Sequence, residues 1–137
     1  MSTVLTVNTV INAPLQKVWD YFTQPLHIMQ WNNASADWHT PKATNDLKKG
    51  GTFSFTMAAK DGSMSFDFEG TYNEVIELQL IEYTTADNRK VDVHFSANHH
   101  ETVVMEAFEA ETENPIELQQ QGWQAILNNF KLYTESN

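Results

Sequence analysis

Between Pro115 and Tyr133 apolar residues recur at a spacing that only an α-helix gathers onto one face. At roughly 100° of turn per residue, Tyr133, Ile126, Phe130, Trp123, Ile116 and Leu127 share about 120° of arc. Gln120, Gln121, Gln124, Asn128 and Lys131 form the polar side. Nineteen residues rising about 1.5 Å each make a rod of roughly 28 Å, near the width of a small domain. An arc this broad suits the face of a sheet rather than the narrow seam of a coiled coil. One residue breaks the helix-forming pattern. Gly122 lies beside the apolar arc, where glycine costs about 1 kcal/mol relative to alanine. Leu118, Ala125 and Asn129 lie on the same flank. Such a glycine predicts that strand backbone or a ligand comes close to the helix there.

The preceding chain supplies the sheet. Thr3–Ile11 is rich in β-branched residues, with Leu5, Val7 and Ile11 in one phase and Val4 and Val10 in the other. Asn12-Ala13-Pro14 reads as a helix start, since proline fits the first turn. Leu15, Val18, Trp19 and Phe22 then recur at helical spacing up to Pro25, and Pro25–Trp31 forms a further short helix. From Trp38 the period is two. Phe53, Phe55 and Met57 share one strand face, and Met64, Phe66, Phe68, Gly70 and Tyr72 share one face of the next. Lys60-Asp61-Gly62-Ser63 joins these two strands as a hairpin. Leu80–Thr85 follows, then Val91, Val93 and Phe95 alternating with Asp92, His94 and Ser96. A turn at Asn98-His99-His100 leads into Thr102–Glu109. Sequential hairpins before one long helix predict an α+β arrangement, a curved antiparallel sheet of about six to seven strands wrapped around that helix.

Composition narrows the function classes. One domain spanning 1–137 is expected, because no linker-like tract divides the chain. Eight basic against 18 acidic residues give a net charge of −10, a field that repels nucleic acid and anionic membranes. Without cysteine, disulfides, thiolate catalysis and cysteine-ligated zinc are excluded. No apolar run approaches the ~18 residues of a membrane span, and Met1–Leu5 lacks the pattern of a signal peptide. A cytoplasmic protein without membrane insertion is expected.

Several segments together resemble one family. They are Ala13-Pro14 with Val18-Trp19, then Trp31, Gly50-Gly51-Thr52-Phe53, Gly70-Thr71-Tyr72-Asn73-Glu74-Val75, and Gly122-Trp123 with Leu127 and Phe130. In this order they resemble the activator-of-heat-shock-protein-90-ATPase homologues of the START-like (SRPBCC) superfamily, which has many small single-domain bacterial members. The resemblance implies the helix-grip fold, with two short helices after the first strand and a cavity between the sheet and the C-terminal helix. It also implies a hydrophobic small molecule, lipid-like or aromatic, as ligand, without a shared catalytic set. Glu77-Leu78-Gln79 stands where many members carry a proline. The co-chaperones proper carry an additional N-terminal domain, for which 137 residues leave no room.

The polar residues offer little chemistry of their own. Adjacent His99 and His100 point to opposite sides of an extended chain, so no metal site is expected, and no cofactor. His94 shares the polar phase of its strand, as do Asp67 and Glu69 of theirs. No nucleophile elbow or phosphate-cradling loop is present, and no carboxylate stands out in an apolar phase. Tyr72, Tyr83 and Tyr133, with the Trp38 N–H, are the polar tips expected to face inward.

The expected lining is Trp31, Trp38, Phe53, Phe55, Phe66, Phe68 and Tyr72 from the first half of the chain. Tyr83, Phe95, Met105, Trp123, Leu127 and Phe130 complete it. A binding protein is expected rather than an enzyme, monomeric or weakly dimeric through a sheet edge. The alternatives are a module stimulating a heat-shock protein 90 ATPase and a polyketide cyclase/aromatase-like enzyme. The latter would be marked by a polar residue buried in the cavity with a strongly shifted pKa.

Overall fold

A computed structural model describes residues 3–137 of the chain, so the signal-peptide expectation at Met1 and Ser2 lies partly outside the described residues. Val4–Ile11 form β1, and two short helices follow, α1 (Leu15–Thr23) and α2 (Pro25–Trp31). Six strands come next: β2 (Trp38–Asn45), β3 (Thr52–Ala59), β4 (Ser65–Ile76), β5 (Leu80–Thr85), β6 (Lys90–Asn98) and β7 (Glu101–Glu109). The last helix, α3, runs from Ile116 to Ser136. It begins one residue later and ends three residues later than the periodicity predicts. Pro115 is its N-cap at φ −56°, outside the helix but compatible with entering it.

All seven strands form one antiparallel sheet in the order β1-β7-β6-β5-β4-β3-β2. Five hairpins join β2 to β7 in sequence, and only β1 is displaced, crossing to pair with the last strand. The β2–β3 register shifts between His39 and Lys42, and the β4–β5 register shifts between Tyr72 and Glu74. Such irregularities bend a sheet, and this one curls around α3 in the helix-grip arrangement. Gly70 permits the closest part of the bend. A Cβ there would stand 2.7 Å from the Phe53 ring and from the Thr84 carbonyl oxygen.

The concave face carries Leu5, Val7 and Ile11 of β1, Val91, Val93 and Phe95 of β6, and Val104 and Phe108 of β7, all buried. Helix α3 presses Leu127 and Phe130 onto this face. At one end α1 and α2 fill the concavity: Phe22 lies 5.3 Å from Phe95 and 5.2 Å from Phe130, and Trp19 lies 5.0 Å from Phe95. The Trp31 N–H donates to the Tyr21 carbonyl at 2.9 Å, which locks α2 against α1.

The polar side of α3 also meets the sheet. Gln120 Nε2 donates to the Thr6 carbonyl at 3.1 Å, Gln124 Nε2 to the Asn8 carbonyl at 3.0 Å, and Lys131 Nζ to the Val10 carbonyl at 2.7 Å. Every second residue of an edge strand points its carbonyl away from the paired neighbour. Three side chains one or two helical turns apart therefore cap three successive outward carbonyls, covering an edge that would otherwise invite another strand.

Candidate functional site

Away from the α1–α2 corner the space between sheet and helix is not filled. A cavity of about 330 Å³ remains there, at the lower end of the ~300–1,000 Å³ typical of ligand sites. Its sheet wall is built by Phe53, Phe55 and Met57 of β3, Phe66, Phe68 and Tyr72 of β4, and Ile81 and Tyr83 of β5. Helix α3 contributes Leu118, Gln119, Gly122, Trp123 and Ile126. Phe22, Thr23, Trp31 and Asn32 close one end, and Glu111 and Asn114 stand at the other. Phe66 is 50% and Leu118 56% exposed, so apolar side chains rim the entrance.

Eight of the thirteen residues expected at the lining stand on the cavity: Trp31, Phe53, Phe55, Phe66, Phe68, Tyr72, Tyr83 and Trp123. Five do not. Phe95, Leu127 and Phe130 are on the expected face but belong to the solid core beside α1 and α2. Trp38 lies on β2 outside the lining, its ring 6.0 Å from that of Phe66. Met105 is on the convex face, opposite the exposed His94 across the β6–β7 ladder. Apolar side chains on both phases of β7 hide its inward face.

One other expectation is corrected, and at Gly122 one of two alternatives is removed. Tyr133 does not face the cavity; its hydroxyl and His27 Nδ1 form a 2.7 Å hydrogen bond at the helical corner. A Cβ placed on Gly122 would meet nothing within 4 Å. No strand backbone approaches this glycine, and the space in front of it is the cavity.

Phe108 and Trp123 stack almost parallel, 4.0 Å between centroids and 9° between planes, which fixes the indole as a flat wall panel. The Phe53 ring packs 4.9 Å from Tyr83, and the Phe68 ring 6.3 Å from Trp123. The Tyr72 hydroxyl donates to Asn45 Oδ1, and Asn45 Nδ2 donates to the Thr23 carbonyl at 2.7 Å. That chain ties β4 to β2 and to the end of α1. Burial pushes the Tyr72 hydroxyl well above its ordinary range and pushes the fully enclosed Tyr83 up as well, so both stay neutral.

The residue that periodicity missed is Glu106. It sits on β7 between Val104 and Phe108, is only 8% exposed, and turns its side chain to the cavity. No hydrogen bond or ion pair engages its carboxyl among the described residues. Burial alone pushes that group up to about 8. The signal that could have revealed it is register. The β6–β7 turn sets Asn98 opposite Glu101, and the ladder continued from there places Glu106 opposite the inward Val93. Arg89 also reaches the lining, but Nε donates to Asp87 Oδ2 at 2.8 Å and Nη1 to the Glu109 carbonyl at 3.4 Å. Glu111 accepts from the Asn114 backbone N–H at 2.6 Å and from Asn114 Nδ2 at 3.1 Å, shaping the loop into α3. Asn32 lies at the far end, its buried amide nitrogen without a protein partner. Among the described residues no three His, Asp or Glu side chains cluster as metal ligands, and no helix is long and apolar enough to cross a membrane.

The fold recurs among solved structures. The solution structure of the AHSA1-like protein from Aeromonas hydrophila is 42% identical, covering 98% of this chain and 93% of that one with a TM-score of 0.92. A solution structure from Cytophaga hutchinsonii is 57% identical over 96% of this chain and 92% of that one, TM-score 0.83. A crystal structure from Nitrosomonas europaea, 17% identical over 97% of this chain and 94% of that one, shares the fold with a TM-score of 0.83. No curated protein matches the chain. Residues 12–135, from the turn before α1 to the last turn of α3, match the family described as Activator of Hsp90 ATPase homolog 1-like protein, and the chain belongs to that family.

Proposed function

We propose that this protein binds a small hydrophobic molecule, aromatic or lipid-like, between its sheet and α3. The observation that carries this reading is the cavity itself: about 330 Å³ walled by rings from three strands and one helix, with a helix glycine facing open space. A core selected only for stability would close such a void, since unfilled apolar volume costs about 24 cal/mol per Å³. Contact with the ligand is assigned to Phe53, Phe55, Phe68, Tyr72, Tyr83 and Trp123, with Phe66 at the entrance and Trp31 at the closed end. Titration with 2-naphthylmethanol, followed by amide NMR shifts, tests it. Shifts are expected at Gly122, Trp123, Phe68 and Tyr83. Shifts confined to the convex side, around Met105 and His94, would overturn the reading.

One observation favours a second reading. Glu106 is a buried cavity carboxyl raised to about 8, the sign expected of a general acid or base working near neutral pH. A polyketide cyclase/aromatase-like enzyme would use it to move a proton at a carbonyl-bearing substrate. Turnover of a short aromatic-forming poly-β-ketone analogue, abolished by Glu106→Gln, would support this. Unchanged substrate in the presence of wild-type protein would remove it.

A further inference from the structure

Most polar side chains on the cavity wall have visible work in the fold, but Asn32 Nδ2, the Tyr83 hydroxyl and the Glu106 carboxyl have no hydrogen-bond partner among the described residues. The Tyr72 hydroxyl is held by Asn45. Arg89, the only cationic side chain on the lining among the described residues, is turned to Asp87 and the Glu109 carbonyl. Glu111 and Gln119 are bonded to one another's loop: Gln119 Oε1 accepts from the Glu111 N–H at 2.9 Å, and its Nε2 donates to the Glu111 and Asn114 carbonyls at 3.0 and 2.8 Å. Glu106 is the one carboxyl among these three groups. It is more than nine-tenths buried, lies on the cavity, and lacks any side-chain partner among the described residues. A carboxyl placed there without a donor is costly to the fold, so its partner is expected to arrive from outside.

We propose that Glu106 is the anchor for a ligand's polar end, and that the cavity selects apolar molecules terminating in a primary amine over the matching alcohol or carboxylic acid. This rests on the pocket reading above and adds the ligand's chemical class. An ammonium group supplies both charge and hydrogen-bond donors, and such pairs are stronger than neutral ones. The rings of Phe53, Phe55, Phe68 and Trp123 line the same cavity, and aromatic rings attract a cation over their faces. The net charge of −10 draws cations toward the molecule and turns anions away. A ligand carboxylate would meet Glu106 as a like charge.

The groups facing Glu106 shape its response to pH. Tyr83 comes from β5, Tyr72 from β4, Arg89 from the β5–β6 turn and Glu111 from the segment after β7, while α3 brings no titratable side chain to the lining. Both tyrosines stay neutral, and Glu106 is held protonated at neutral pH by burial. Binding an ammonium therefore ionises Glu106: its O–H bond breaks, the proton leaves to buffer, and the carboxylate pairs with the cation.

Isothermal titration calorimetry at pH 7 with 2-naphthylmethylamine, 2-naphthylmethanol and 2-naphthoic acid tests this in wild type, Glu106→Gln and Glu106→Leu. The amine is expected to bind wild type about tenfold or more tighter than the alcohol, with the acid weakest. Paired measurements in buffers of different ionisation enthalpy are expected to show roughly 0.9 proton released per amine bound, the protonated fraction at one pH unit below the group's value. Both effects should vanish in the two variants while alcohol binding persists. Equal binding of amine and alcohol by wild type would overturn the anchor and leave the pocket standing. An amine preference surviving in Glu106→Gln would overturn it too. Failure of all three compounds to bind wild type would overturn both readings. Should either variant fail to fold, the ranking and proton release in wild type decide alone.

Discussion

A buried acid that holds its proton in the folded state makes stability depend on pH, and Glu106 allows the size of that dependence to be worked out. Its carboxyl titrates near the ordinary 4.5 when the chain is unfolded and near 8 when folded. Between those values the folded state carries one proton more than the unfolded state, so unfolding free energy falls as pH rises. The slope is about 1.4 kcal/mol per pH unit. From pH 4.5 to 7 the loss is roughly 3 kcal/mol, and it levels off at about 4 kcal/mol once pH exceeds 8. The contribution is thus fully present in acid and gone in base. Asp61 and Glu135 run the other way, held down chiefly by hydrogen bonds from Ser63 and from the Asn12 N–H. Their stabilisation is lost as pH falls, so the raw profile mixes both signs. Urea denaturation of wild type and Glu106→Gln from pH 4.5 to 8.5 separates them, because the variant keeps every other carboxyl. The difference between the two curves should grow in the variant's favour by about 3 kcal/mol up to pH 7. Parallel curves would refute the argument, since they would mean that Glu106 titrates alike in folded and unfolded chains.

Gly122→Ala should raise the unfolding free energy by about 1 kcal/mol, the helix-propensity difference, because the new methyl enters open space. The same methyl should weaken 2-naphthylmethanol binding, read by calorimetry; a loss of stability would show that the space is occupied. Phe108→Ala removes a side chain that is 1% exposed and carries the Trp123 indole, and should cost about 3–5 kcal/mol in urea denaturation. Gln124→Ala uncaps the Asn8 carbonyl, which then turns to water, so a cost of about 0.5–1 kcal/mol is expected by the same assay. If the cavity rather than the outer surface carries the function, an excess of this domain should leave the ATP turnover of a heat-shock protein 90 unchanged in a coupled assay.

The strands were legible where one phase is apolar and the other polar. Phe66 and Phe68 alternate with Asp67 and Glu69, and that pattern alone orients β4. β7 defeats the same logic, because Val103, Met105 and Ala107 are as apolar as Val104 and Phe108. Periodicity therefore puts Met105 inside and passes over Glu106. The turn at His99-His100 held the missing information, since a hairpin's loop fixes which residues oppose each other. Phe95, Leu127 and Phe130 show a different limit. Their faces follow from period, but whether a face meets a cavity or a packed core depends on where α1 and α2 fill the sheet, which no local pattern encodes. Gly122 shows a third, since a missing Cβ looks the same in sequence whether backbone fills its place or nothing does.

The three caps from α3 to β1 join residues 114 to 121 positions apart. Contacts of such sequence separation close large loops and form late in folding. During synthesis β1 emerges first and α3 last of the described elements. Until then the rings of β3 and β4 and the open edge of β1 are uncovered together, and unpaired edges beside exposed apolar surface are the usual seeds of aggregation. The polar flank of the helix thereby acquires a role in time as well as in space: its docking ends the interval in which the nascent sheet can pair with a neighbour.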